Sequence, residues 1–175
     1  MTCVLGLNAF HGDASACLVR DGKLIAAGEE ERFRRIKHWA GLPSEAALWC
    51  LREGGISLGE VDCIAVNQDA GANLWRKIVY LAASRPDISL VLDRLRNKRE
   101  RAGIDESLAR ELGQSFQGKV RYVEHHLAHL ASAFLVAPFD QATAVSVDGF
   151  GDFASAAWGV GRGGSVDVED KVYFP

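Results

Sequence analysis

Three side chains with metal-binding chemistry lie close together in the last third of the sequence. His125 and His129 are four residues apart in HHLAH, a predicted helix, so they share one face about one turn apart. Two imidazoles need this spacing to bind one metal ion. Asp148 ends the next predicted strand and could supply a third ligand. Two histidines and a carboxylate with open positions suit iron, manganese or zinc, while the alternative is an ordinary polar helix face.

A histidine in the first turn and a basic run after the third strand are further candidates. His11 lies in FHGDASA, where it is either an exposed turn residue or a general acid or base near a reacting group. Residues 29–38 (EEERFRRIKH) are dense in charge, which is typical of a solvated face. One cation from this run would still fit a role in binding nucleotide phosphates.

Two familiar motifs are excluded. The second position of HHLAH is His126, so the glutamate general base of the zinc-peptidase motif is missing. Residues 159–164 (GVGRGG) look like a dinucleotide fingerprint but lack the strand–helix–strand frame. We interpret them as a glycine-rich hairpin between strands.

Composition narrows the class of protein further. The net charge of -3 and the pI near 5.9 give no electrostatic argument for nucleic acid or a membrane surface. No apolar run reaches the roughly 20 residues of a membrane span, and the N-terminus has no basic region of a signal peptide. The four cysteines form no C-x-x-C pair, so we expect buried free thiols and a cytoplasmic location.

The elements that must position these residues follow the order of a ribonuclease-H-like fold, a mixed sheet with helices on both faces. Asp21 and Gly22 predict a type I′ turn between the second and third strands. The predicted strands are 3–8, 14–20, 23–28, 61–67, 120–123, 142–148 and 154–160. The predicted helices are 44–54, 72–84, 87–101, 105–112 and 125–136.

One strand signature occurs twice. An offset of 140 aligns Asn8 with Asp148, Phe10 with Phe150, and the ASA of residues 14–16 with that of residues 154–156. The repeat predicts duplicated lobes of the kind found in sugar kinases, actin and heat-shock ATPases. The first would span 1–137, and 138–175 would begin an incomplete second, so we expect a fragment of a longer protein. In that architecture the turn after each lobe's first strand faces the nucleotide phosphates, which makes Gly149 a candidate contact.

Three segments together resemble a known family: VLGLNAFHGDASACLVRDGKLIAAGEEERFRRIKH, EHHLAHLASAF and SVDGFGDFASAAWG. They are similar to the N-terminal domain of the O-carbamoyltransferases, which include nodulation-factor and antibiotic carbamoyltransferases. The resemblance implies that carbamoyl phosphate and ATP form a carbamoyl-adenylate in a C-terminal domain. The N-terminal domain then transfers the carbamoyl group to the hydroxyl of a small molecule.

The same resemblance implies roles for single residues. His125, His129 and Asp148 would bind a metal, commonly iron, with a further acidic ligand from beyond Pro175. His11 would be the base that deprotonates the acceptor hydroxyl, and Lys37 would contact the nucleotide.

Activity and partners remain expectations at this point. We expect the 175 residues alone to be inactive, without a nucleic-acid or membrane partner, and we leave a homodimer open. Two other interpretations also stay open. One is a tRNA threonylcarbamoyladenosine-type transferase, and the other is a non-catalytic ATP-binding module.

Overall fold

The computed structural model describes residues 1–69, 71–84 and 103–173. These residues form two compact units. The first comprises the described residues within 1–67 and 91–122, and the second those within 68–90 and 123–175. The predicted helix 87–101 lies outside the described residues, and the predicted lobe boundary at 137 stays a prediction.

The first unit is built on a five-stranded sheet with the order β3-β2-β1-β4-β5. Strand β1 is antiparallel to β2 and parallel to β4, β2 is antiparallel to β3, and β4 is parallel to β5. This is the ribonuclease-H-like order, so the predicted fold class is confirmed. The strands are β1 Cys3–Asn8, β2 Ser15–Arg20, β3 Lys23–Glu29, β4 Cys63–Val66 and β5 Lys119–Tyr122.

Three α-helices accompany this sheet in the described residues: α1 Glu30–Arg34, α2 Ser44–Gly54 and α4 Ile104–Leu112. Helix α2 carries small and apolar residues, among them Ala46, Ala47 and Leu51, and these are buried in one core with the sheet residues Leu5 and Leu7. Burying this face supplies most of the stabilisation of such a layered unit.

The tight turn between β2 and β3 has the predicted backbone. Asp21 and Gly22 have φ values of 48° and 77°, both positive as a type I′ turn requires. All four cysteines are free, and Cys3 and Cys50 are buried. Burial raises the pKa of the Cys50 thiol to about 11, so this side chain is a neutral part of the core at physiological pH.

The charged run after β3 contains a buried carboxylate. Glu30 is 0% exposed, and its carboxylate accepts hydrogen bonds from the backbone N–H groups of Glu45 and Ala46 at 3.2 and 2.8 Å. These groups lie in the first turn of α2, where backbone donors have no partner within the helix. Arg34 binds the same carboxylate at 2.6 Å. Glu30 therefore caps α2 from a distant position in the sequence.

The second unit consists of a three-stranded antiparallel sheet and two helices among its described residues. Its strands are β6 Gln141–Gly151, β7 Ala154–Arg162 and β8 Ser165–Tyr173, and its helices are α3 Leu74–Ser84 and α5 His125–Phe134. Leu130 and Phe134 of α5 are buried with Ala144 and Ala157 of the sheet. The glycine-rich segment forms the end of β7 and the turn to β8, as the hairpin interpretation predicted.

The pairing of strands confirms the internal repeat. Leu7 pairs with Ala16 between β1 and β2, and Val147 pairs with Ala156 between β6 and β7, so the register is conserved under the offset of 140. The strand pairs that follow, β2 with β3 and β7 with β8, each have a register shift at the aligned position. One shift lies between residues 18 and 19, and the other between residues 158 and 159. Side-chain similarity alone would not reproduce both the register and the bulge, so the repeat is structural.

No helix in residues 1–69, 71–84 and 103–173 combines the length and the apolar composition that a membrane span requires.

Candidate active site

The predicted histidine pair lies at the start of α5. Glu124 precedes the helix, and its carboxylate accepts a hydrogen bond from the Leu127 N–H at 2.8 Å. The Lys171 ammonium lies 2.9 Å from the same carboxylate. Although burial raises the pKa of Glu124, the hydrogen bonds from Lys171 and Leu127 outweigh it and hold the pKa below its ordinary value. The capping carboxylate thus remains charged and fixes the beginning of the helix that carries His125 and His129.

The structure brings His125, His129 and Asp148 together. The Nε2 atom of His125 is 2.6 Å from Oδ2 of Asp148 and 3.0 Å from Nε2 of His129. The distance from His129 Nε2 to Asp148 Oδ2 is 3.5 Å. The His125 ring is largely buried, whereas the side chains of His129 and Asp148 are 47% and 37% exposed. The cluster is thus buried at His125 and accessible to solvent at His129 and Asp148.

The donor atoms of this cluster suit a cation. Nε2 of His125 carries either a proton or a lone pair, so it cannot donate to Asp148 and accept from His129 at the same time. The three donor atoms lie within 3.5 Å of one another, so these residues are close enough together to hold one cation in common.

The charge of Asp148 supports the same conclusion. The hydrogen bond with His125 holds the pKa of the Asp148 carboxyl below its ordinary value, and burial opposes this less strongly. The Gly149 N–H donates to the other oxygen of Asp148 at 2.6 Å and acts in the same direction. An ionised carboxylate is the form that binds a metal.

The remaining histidine of HHLAH has a different role. His126 is 0% exposed, and its Nδ1 lies 2.9 Å from the hydroxyl oxygen of Ser146 on β6. Its ring therefore packs into the second unit, while His125 and His129 form the cluster with Asp148.

Gly151, the last residue of β6, and Asp152, in the turn that follows, both support His125. The carboxylate of Asp152 accepts the His125 backbone N–H at 2.9 Å, and Asp152 is only 6% exposed. A Cβ added to Gly151 would overlap the His125 ring at Cδ2 and Cγ. Both contacts join residues that are far apart in the sequence, and no local pattern predicted them.

The first unit holds the other predicted side chains, His11 and Lys37. His11 is half-buried in the turn between β1 and β2, where Phe10 and Asp13 have positive φ values of 60° and 61°. Lys37 is exposed in the connection between α1 and α2. The two segments are neighbours, as the hydrogen bonds between them show.

Three hydrogen bonds join the first turn to that connection. The Phe10 N–H donates to the carbonyl of Gly41 at 3.1 Å, and the Ala14 N–H donates to that of Trp39 at 2.9 Å. The ring nitrogen Nδ1 of His38 is 2.8 Å from Oδ1 of Asp13. The segment that carries Lys37 is therefore fastened along the turn that carries His11. No sequence pattern predicted this pairing.

The fold and the cluster together define the class of protein. It is a ribonuclease-H-like α/β protein with an internal repeat and a cluster of two histidines and one carboxylate whose donor atoms lie close together. The chain belongs to the family described as carbamoyltransferase N-terminus, whose model matches residues 3–175. The predicted family is thereby confirmed.

Individual proteins and solved structures are also similar to this chain. Nodulation protein NolNO of Sinorhizobium fredii is 40% identical over 96% of this chain and 24% of its own length. An uncharacterized Synechocystis protein is 35% identical over the whole chain and 30% of its own length. This chain thus spans less than a third of these curated relatives. Among solved structures, YeaZ from Pseudomonas aeruginosa matches with a TM-score of 0.49 and 17% identity, over the whole chain and 68% of that protein.

Proposed function

We propose that this chain is the part of a carbamoyltransferase that transfers a carbamoyl group to the hydroxyl of a small molecule. The donor would be a carbamoyl-adenylate formed from carbamoyl phosphate and ATP. The observation that carries the proposal is that the donor atoms of two imidazoles and one carboxylate lie within 3.5 Å of one another, in a chain of this family. The family supports the reaction class, and the donor set supports a resident metal.

Each of the named side chains has a chemical role in this reaction. His125, His129 and Asp148 would hold a divalent metal, with iron as our first choice and manganese or zinc as alternatives. When bound, such a metal supplies polarisation of the carbamoyl carbonyl and charge compensation. His129 and Asp148 are partly exposed, so the cluster leaves a side on which substrate oxygen atoms can approach.

The transfer itself needs a base and a leaving group. The acceptor oxygen attacks the carbamoyl carbon, the bond from that carbon to the adenylate oxygen breaks, and AMP leaves. His11 would take the proton of the acceptor hydroxyl as the new bond forms, which increases the nucleophilicity of the oxygen. Lys37 is one proposed contact of the nucleotide, and the backbone at Gly149 is another.

Metal content of the purified chain tests the proposed centre. We expect the wild-type chain to bind about one divalent ion per molecule, and His125→Ala and His129→Ala to bind much less. His38→Ala is the control and should keep the ion, because His38 lies in the first unit with Asp13 and Glu31, a second group of side chains close enough together to hold a metal. Loss of the ion in His38→Ala alone would place it at that second group. Equal metal content in the wild type, His125→Ala and His129→Ala would favour a non-catalytic module.

The reaction needs a longer version of the protein. By resemblance the adenylate forms in another domain, so we expect the 175 residues alone not to turn over ATP and carbamoyl phosphate. A full-length version should carbamoylate a hydroxylated metabolite, and His11→Ala should slow that step by about 10²–10⁴-fold. Modification of tRNA instead of small hydroxylated acceptors would identify the threonylcarbamoyl alternative.

A further inference from the structure

The turn after β6 is connected to two other segments of the second unit through one buried carboxylate. Oδ2 of Asp152 accepts the backbone N–H of His125 at 2.9 Å and that of Asp69 at 2.8 Å. The carbonyl of Asp152 accepts a hydrogen bond from the side-chain amide of Asn73 at 2.7 Å. Asp152 thus ties the first residue of α5 and the segment before α3 to the same turn.

The bond to His125 matters because of where this residue lies. His125 is the first residue of α5, and the N–H groups of a helix's first turn have no partner within the helix. A carboxylate at this end also interacts favourably with the helix dipole. Asp152 therefore fixes the backbone from which the His125 ring extends.

Gly151 affects the position of the same ring through the space that it leaves. The ring occupies the space that a side chain at position 151 would need, since an added Cβ would overlap Cδ2 and Cγ of His125. Gly151 belongs to β6, the strand that also carries Asp148. The missing side chain lets the ring lie against this strand, where Nε2 is 2.6 Å from Asp148 Oδ2.

We propose that Gly151 and Asp152 are positioning residues of the metal centre. Asp152 holds the backbone of His125, and Gly151 leaves the space that directs its Nε2 atom towards the other two donors. This inference rests on the proposed function, because it takes His125, His129 and Asp148 as the ligands. Groups that orient a metal ligand typically change metal affinity by about 10- to 100-fold when they are removed.

Cobalt(II) titration of the 175-residue chain tests this assignment. The visible absorption of the ion reports coordination geometry, and competition with a chelator gives the affinity. We expect Asp152→Ala and Gly151→Ala each to weaken binding by about 10- to 100-fold and to change the absorption spectrum. Asp152→Asn keeps an oxygen that can accept the His125 N–H, so it should recover most of the affinity.

Matched controls separate this role from a purely structural one. Gly164→Ala adds a methyl group in the same unit, at a glycine with open space around it, and should bind cobalt as the wild type does. The unfolding temperature of each metal-free variant is measured in parallel. A residue that only supports the fold would lower this temperature and leave the affinity of the folded protein unchanged.

Each result of the cobalt titration decides for or against the positioning roles or the metal centre itself. Wild-type affinity and spectrum in folded Asp152→Ala and Gly151→Ala would overturn the proposal, as would failure of both variants to fold at 10 °C. Equal cobalt binding by the wild type and His125→Ala would instead show that the proposed centre itself is wrong. If His125→Ala loses cobalt binding as expected and the variants at positions 151 and 152 bind cobalt as the wild type does, the proposed function stays intact. Only the positioning roles are then refuted.

Discussion

Replacing Glu30 by alanine should destabilise the first unit far more than replacing an exposed residue of the same charged run. The carboxylate is fully buried, accepts two backbone N–H groups of α2, and binds Arg34 at 2.6 Å. Removing one partner of a buried ion pair costs about 3–5 kcal/mol. The Arg34 side chain is 29% exposed and so recovers some hydration, which places the expected loss near the lower end, about 3 kcal/mol.

Glu29→Ala is the matched control for this prediction. Glu29 also pairs with an arginine, Arg32 at 3.1 Å, but the two side chains are 48% and 71% exposed. Exposed pairs of this kind contribute about 0–1 kcal/mol. Urea denaturation followed by tryptophan fluorescence gives the free energy of unfolding of both variants. Losses that agree within about 0.5 kcal/mol would refute the capping role, since that is the scatter of ordinary surface substitutions.

Two further predictions concern the second unit. Because the folded-state pKa of Glu124 is lowered, its pairing with Lys171 stabilises the protein above the ordinary carboxyl pKa and is lost as the pH falls through the lowered value. Glu124→Gln should therefore lower the urea midpoint at pH 7, and the difference from the wild type should shrink in acid; a constant difference would contradict this. Gly161→Ala should cost about 1–3 kcal/mol, since its Cβ would overlap the buried Phe134 ring, and a loss no greater than that of Gly164→Ala would disprove the overlap.

Local patterns predicted the elements and part of the site. The Asp21-Gly22 dipeptide indicated its turn because both positions need positive φ, and the structure has both. The four-residue spacing in HHLAH predicted that His125 and His129 share one helix face, and the structure has their Nε2 atoms 3.0 Å apart. Each of these inferences used periodicities that the backbone imposes on neighbouring residues.

The contacts that hold the site could not be predicted in this way. Glu30 lies among charged residues, and a charged run indicates solvent, yet its partners are backbone groups 15 and 16 residues away. The hydrogen bond from the His125 N–H to Asp152 spans 27 residues, and its donor is a backbone group that no side-chain pattern reveals. Backbone donors are the same in every sequence, so their partners become visible only in three dimensions.

The two copies of the repeat differ at one aligned position, and the packing around that position explains the difference. The offset of 140 aligns His11 with Gly151, although the register of the preceding strands is the same in both hairpins. In the second copy a side chain at the aligned position would displace the imidazole of His125 from α5, which occupies that volume. The first turn provides an imidazole of its own, and the second makes room for one that a helix provides. The first copy of the turn thus carries the proposed base, His11, and the second copy leaves space for the proposed metal ligand His125.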